Sequence, residues 1–300
     1  MTDKTAPGVS RANRRIGWLF STPALVAGLV VTVYPLIYLL ASSVSRSTLG
    51  KPFQDFVGGE NFATAMADDT FTGGLIRTTM FAIVTALFQV ALGLGVALLM
   101  RQLTRGQNVI RTLILLPLLT PPVMAAVVWK LVLAPNGGLL NSVLLQLGIV
   151  QEPISLLGSP FWAIVMVAIA DSWQWTPFVA LIIYAGLLAL PESVYEAAQI
   201  DGAGPWRGFC HITFPMITPA LMSVLLIKLI ISFKIFDLVY VLTSGGPADS
   251  SMLSGFLIFR TALREFNVGY AAAQTLLFVI VVTIVTIPVT IIRKRTRWEQ

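Results

Sequence analysis

The sequence predicts an all-α integral membrane protein with six membrane-crossing helices, on three observations. Of its 300 residues 56% are hydrophobic and only 11% charged, too few to give a soluble domain of this size its polar surface. The apolar residues fall in blocks rather than amphipathic stripes, each long enough to cross about 30 Å of hydrocarbon as a helix. Lys and Arg, finally, are divided unevenly between the segments that join those blocks.

After a short polar tail, residues 1–15, Ile16–Ala41 forms the first block. It is longer than a secretory hydrophobic region, lacks a small-residue cleavage site and contains Pro23 and Pro35, so it is read as a span and not as a cleaved signal. Thr78–Met100 and Gly269–Ile292 likewise carry no charge and give the second and sixth spans. Thr112–Leu133, Phe161–Ala189 and Ile217–Leu242 are as long but hold isolated charges, and give the third, fourth and fifth. With the N-terminus in the cytoplasm, twelve Lys and Arg lie on inner segments: Lys4, Arg11, Arg14, Arg15, Arg101, Arg105, Arg111, Arg207, Arg293, Lys294, Arg295 and Arg297. Five lie on outer ones: Arg46, Lys51, Arg77, Arg260 and Arg264. That asymmetry follows the positive-inside rule, with both termini and the tail 294–300 inside. The net charge of +6 is therefore an orientation signal and not a nucleic-acid surface.

Among the outer connections, "FVGGENF" (56–62) and "TSGGP" (243–247) read as turns. "LLNSVLLQLGIV" (139–150), too short to span, reads as an interfacial helix. Pro23, Pro35, Pro117, Pro121, Pro122, Pro177 and Pro288 fall inside spans and are expected to kink or break them. Asp171 is ten residues into the fourth span, about 15 Å deep, and Lys228 lies at similar depth in the fifth. An unpaired charge there costs at least about 2.5–3.5 kcal/mol, which leaves two readings: a polar solute pathway or an ion pair between helices. In "DSWQWTP" (171–177), Asp171 and Trp175 share a helical face, with Trp173 and Gln174 beside them. Aromatic faces next to hydrogen-bonding groups suit a sugar-like ligand. Lys228 and Ser232, a turn apart, complete the pathway candidates. Lys234 and Asp237, at i and i+3, are expected to pair near the outer end of the fifth span.

No soluble catalytic domain fits between the spans, and the one Gly-Lys (50–51) precedes Pro52, so no phosphate-binding loop exists. A single cysteine, Cys210, precludes an intramolecular disulfide, and His211 is the sole histidine, which argues against a zinc site. The two are read as packing residues of their loop. If ATP drives this protein, another chain binds it, and no cofactor is expected here.

The longest inner connection, Leu190–Met216, contains "EAAQIDGAGPWRGFCHITFP" (196–215). Glu192–Ile200 reads as a short helix that Gly202 and Gly204-Pro205 end, and Trp206–Ile212 as a second short turn. The product is an elbow that shows Glu196, Asp201, Trp206, Arg207 and Phe209 to the cytoplasm, a pattern that suits a docking surface.

This run resembles the EAA loop of permease subunits of bacterial binding-protein-dependent ABC importers. Glu196-Ala197-Ala198, then Gly202, then Ile212 and Pro215 match its pattern, with Phe214 where the pattern has Leu. "YEAAQIDGAGPWRGF", "FVGGENF", "WQWTPF" (173–178) and "FKIFDLVYVLTSGGP" (233–247) are similar to segments of the carbohydrate-uptake branch, so the likeness spans about residues 16–293. It implies a MetI-like permease core over about residues 75–293, paired with a second permease, usually a different chain. It also implies two cytoplasmic ATPase subunits that hold ATP and Mg, an extracytoplasmic solute-binding protein, and a bacterial inner-membrane location. Glu196 matches the family's acidic contact to the ATPase, and Gly202 the turn between elbow helices. A sugar or related polyol is the implied solute. An ABC permease for another solute, such as an amino acid or phosphate, is an alternative, and an ion-coupled secondary carrier using Asp171 and Lys228 is another. In a third reading this chain only completes the dimer while its partner binds the solute.

Overall fold

The structure, a computed structural model, describes residues 11–103 and 106–297. Residues 1–10 of the expected tail, Arg105 of the inner connector and residues 298–300 lie outside them. The described residues are mostly helical, with one two-residue antiparallel ladder, β1 (Ser45–Arg46) and β2 (Asp55–Phe56).

Five helical stretches are long and apolar enough to cross a membrane. They are α1 (Arg11–Ser43), α3 (Asp69–Gln102), α7 (Pro160–Leu188), the continuous run Pro205–Phe233 and α13 (Val268–Arg297). Between α1 and α3 lies the short α2 (Glu60–Ala67), introduced by the expected turn at Gly58, whose φ is +56°. Asp68 caps α3 by accepting from the Thr70 and Phe71 amides, and its other oxygen accepts the Tyr270 hydroxyl at 2.8 Å, which fastens the start of α13 to the start of α3.

The expected third span is not one straight helix. It is a pair, α4 (Gln107–Leu119) and α5 (Pro122–Val132), bent by 91°. Pro122 forces Pro121 out of the helical region, and Pro121 does the same to Thr120 (ψ 137° and 125°), so two consecutive residues are extended and the helix cannot continue. Single prolines do not have this effect: α1, α4, α7 and α13 run on through Pro23 and Pro35, Pro117, Pro177 and Pro288.

The fifth block also departs from expectation. Its helix starts earlier, at α9 (Pro205–Gly208), and passes through a π-helical turn, Phe209–Thr213, into α10 (Phe214–Phe233). The second elbow piece is thus the head of this span and not a separate turn. At the far end α10 stops at Phe233 and a new helix, α11 (Asp237–Leu242), begins after a break. The break turns Phe236 onto the rings of Tyr240 and Phe259, 5.6 and 4.9 Å between centroids. Lys234, just past the end of α10, and Asp237, the first residue of α11, consequently lie on either side of the break, and the expected local ion pair is not formed. The apolar segment after α5 contains the expected short helix, α6 (Leu139–Gln146); α8 (Glu192–Ile200) has the expected bounds, and α12 (Ser254–Phe259) follows the turn at 243–247.

The bundle has an apolar core at each end and a third where Ala82, Ala86, Leu229 and Phe233 meet Phe278 of α13. Toward the start of α3, Phe71 and Phe81 meet Val167, Leu238, Leu253, Phe256 and Leu257. Toward its end, Ala97 and Met100 meet Val179, Ile183, Leu187, Ile217, Leu221 and Val224. Between them α3, α7 and α10 bring buried polar side chains together. Glycine allows the closest α3–α7 approach: a Cβ on Gly93 would lie 2.6 Å from Val179 Cγ1 and 3.1 Å from the Ala180 nitrogen, whereas one on Gly95 would meet nothing within 4 Å. Gly93→Ala is therefore expected to destabilise by about 1–3 kcal/mol through overpacking. Gly95→Ala, which only gains helix propensity, serves as the control. Thermal unfolding midpoints in detergent test the pair, and equal midpoints for the two variants would refute the packing argument.

Candidate translocation pathway and coupling elbow

Three helices each contribute a polar side chain at the same level of the bundle, and burial forces these groups to satisfy one another. Lys228 Nζ on α10 lies 2.9 Å from Asp171 Oδ2 on α7, with essentially no solvent access to either side chain. Gln89 on α3 donates to the same oxygen at 2.7 Å and to Ser172 Oγ at 3.1 Å. The ammonium also sits over the Trp175 ring, 5.1 Å from its centroid. One turn along α10, Ser232 accepts a bond from Thr85 on α3 at 3.3 Å. Desolvating two charges costs several kcal/mol each, and only tight pairing with added hydrogen bonds offsets it. Of the two readings of these charges, the geometry shows the interhelical ion pair.

Asp171 nevertheless has a second face. With Gln174 and Trp175 it lines a cavity of about 230 Å³, bounded also by Pro122, Lys234, Phe236 and Asp237. The broken ends of two helical segments, at Pro122 and at Lys234–Asp237, make this space, and two residues expected to neutralise each other line it instead. Gln174 supports it directly, since its amide donates at 2.8 Å to the Thr120 carbonyl, an acceptor at the α4–α5 break that no helical amide reaches. Lys228 and Ser232 lie buried behind the cavity. Trp173 does not join the group: two residues on from Asp171 it points about 200° away, stays 41% exposed, and packs edge-on against Trp129 at 6.2 Å. Gln89 was missed because it sits, uncharged, in the most apolar run of α3. A lone amide in a charge-free span was the available signal.

At one end of the bundle the first elbow helix has the expected form, whereas the second piece continues into the fifth span and Phe209, expected to be exposed, is half-buried. α8 ends in two bonds, Gly202 N–H to the Gln199 carbonyl at 3.1 Å and Ala203 N–H to the Ala198 carbonyl at 2.9 Å, a closure that needs the left-handed φ of +74° at Gly202. Glu196, Ala197, Asp201, Arg207 and Pro215 are exposed, while Ala198, Phe209 and Ile212 are half-buried. Trp206 is 75% exposed, and its ring begins a tilted series with Phe209 and Phe214, 5.8 and 6.1 Å apart. Ile200, which the sequence reading did not single out, is 86% exposed. His211 is exposed, with Nδ1 3.2 Å from the Arg207 carbonyl, and Cys210 is half-buried.

Comparison with known proteins places this arrangement. The model of the family described as "Binding-protein-dependent transport system inner membrane component" matches residues 89–298, from Gln89 through the elbow to the end of α13. The chain belongs to that family. It is a multi-pass membrane protein of the permease type. It is 33% identical over 270 residues to a trehalose/maltose transport system permease protein of Thermococcus litoralis, with 90% of each chain covered. It is also 33% identical to a trehalose transport system permease protein of Mycobacterium tuberculosis (90% of this chain, 86% of the other), and 32% identical to a lactose transport system permease protein of Rhizobium radiobacter (89% and 90%). Its fold matches a chain of a bacterial alginate ABC transporter, solved in complex with an alginate-bound periplasmic protein, with a TM-score of 0.82 at 21% identity over 94% of this chain and 96% of that one.

The ion pair makes a specific demand on this permease. Lys228→Met strands the Asp171 carboxylate and is expected to cost about 3–5 kcal/mol, whereas Lys228→Met with Asp171→Leu removes both charges and recovers most of that loss. Thermal midpoints of the purified single and double variants check it, and a double variant no more stable than the single one would exclude a coupled pair.

Proposed function

We propose that this chain is the permease subunit of an ATP-driven importer for a sugar or related polyol, worked through its elbow by a separate ATPase. The observation that carries this reading is the exposure on the elbow of two large apolar side chains, Trp206 and Ile200, in a chain whose sequence has no phosphate-binding loop. Apolar groups of that size on a polar protrusion favour a protein partner that buries them. The elbow then lies in the cytoplasm, as do both termini, in a bacterial inner membrane, and α4 with α5 counts as one bent span to give six. ATP and Mg belong to two ATPase subunits and not to this chain. A second permease closes the pathway, and an extracytoplasmic solute-binding protein delivers the solute.

The solute class draws support from relatives named for trehalose, maltose and lactose, and one named for sn-glycerol-3-phosphate shows how far a related system reaches. In the path we place Asp171, Gln174 and Trp175, with Lys234 and Asp237 on the facing wall; Lys228 and Ser232 hold that wall from behind. A carboxylate, an amide and an indole face around about 230 Å³ suit hydroxyls and the C–H face of a sugar ring. Movement of the docked ATPases would tilt the elbow, and with it the fifth span, between inward- and outward-facing arrangements.

Glu196→Lys and Trp206→Ala are expected to leave the protein inserted and folded but to lower retention of the ATPase in detergent-solubilised complexes, Trp206→Ala by about 2–4 kcal/mol if it is a buried anchor. Undiminished co-purification from both variants would sink the docking assignment. Uptake of radiolabelled trehalose, maltose or lactose should require ATP and persist when the proton gradient is collapsed, and uptake that stops with the gradient alone would instead identify a carrier.

A further inference from the structure

A polar chain that the docking reading does not use ties the elbow to the bundle. Arg101, in the last turn of α3, lays its guanidinium over the Tyr195 ring, 4.5 Å from the centroid, and donates from Nη1 to the Tyr195 hydroxyl at 3.1 Å. That hydroxyl lies 3.0 Å from Thr213 Oγ1, and the Thr213 hydroxyl donates to the Gly208 carbonyl at 3.4 Å. Since arginine can only donate, the phenol's own hydrogen is free to point at Thr213. Three pieces of chain therefore meet at one tyrosine oxygen: the end of α3, the first elbow helix, and the π turn that heads α10.

The surroundings explain why such a tie matters. α8 buries no residue, so apolar packing does not fix it. A nine-residue helix is not stable alone. A cleft of about 680 Å³, lined by Leu98, Gln102, Gln199 and Trp206 among others, separates it from α3, and Arg101 and Tyr195 bridge that cleft. Thr213 is buried at the point where the helix widens into a π turn, a departure from regular geometry found often at functional sites.

We propose that Arg101, Tyr195 and Thr213 form a latch that makes the elbow rigid with α3 and α10, so that displacement of the docking surface moves the span instead of swinging the elbow alone. Tyr195 is thereby a positioning residue for coupling, a role that rests on the elbow being the ATPase dock. Arg101 supplies both the cation over the ring and the donor to its hydroxyl, and a lysine lacks the rigid fork that does both at once.

Tyr195→Phe keeps the ring and the cation–π contact and removes only the bridging hydroxyl. Thr213→Val removes the other hydroxyl, and Thr213→Ser retains it. Hydrogen exchange of residues 192–203 in the full chain in detergent should quicken roughly five- to tenfold in the first two variants, the effect of one lost hydrogen bond, and stay at the wild-type rate in Thr213→Ser. In the complete transporter, both altered proteins should retain the ATPase and an unchanged KM for ATP while the turnover stimulated by the binding protein falls. Unchanged exchange in Tyr195→Phe and Thr213→Val overturns the latch, whatever the ATPase does. Faster exchange with undiminished stimulated turnover overturns its part in coupling. Loss of the ATPase from Tyr195→Phe overturns it too, making Tyr195 a contact residue. If Trp206→Ala and Glu196→Lys leave ATPase binding intact, the docking reading fails, and the exchange measurement still judges the latch alone.

Discussion

Burying Lys228 among α3, α7 and α10 is tolerable only because the Asp171 carboxylate sits 2.9 Å from its ammonium and Gln89 holds the same oxygen from the third helix. Remove that oxygen and the Lys228 ammonium loses its acceptor, while the Gln89 amide keeps only Ser172 Oγ. The apolar cores at the two ends can pack by shape alone, and Gly93 lets α3 and α7 close upon one another beside the pair. The polar layer adds what apolar packing lacks, since a helix that slid or rotated by one residue would leave a charge without its partner. It fixes the register of three helices at once.

That register in turn creates the cavity. Because α7 is held by Asp171 and Lys228, Gln174 reaches the Thr120 carbonyl at the α4–α5 break and Trp175 faces the gap that the break leaves. The break at Lys234–Phe236 opens the same space from the other side. Backbone irregularity at this depth is stable only where protein or a water-filled space covers it, and both irregular segments lie against this one volume.

Much of this was legible in the sequence, for local reasons. Uncharged runs long enough to span, a helix ended by a left-handed glycine, and two successive prolines are properties of neighbouring residues. The ion pair could be anticipated from the depth of Asp171 and Lys228 because lone charges in apolar helices need partners. What was not legible depends on distant chain. The end of α10 at Phe233 is decided by the rings Phe236 joins, Lys234 and Asp237 are parted by that break, and Tyr195 owes its place to residues 94 positions before and 18 after it. Trp173 is a different case: helical geometry already set it opposite Asp171, and aromatic proximity in sequence outweighed direction in the reading.

The unbroken run from Pro205 to Phe233 behaves as a beam. Near its middle Ile217, Leu221 and Val224 sit in the core at the elbow end, and further on Leu229 and Phe233 sit in another. From Leu221 the distance back to Trp206 is about 22 Å and forward to Lys234 about 20 Å at helical rise. A beam supported there has arms of nearly equal length. On the coupling proposed above, a sideways push at the indole would return with about the same size and opposite sense at the far end, and the Asp171–Lys228 pair would have to travel with it.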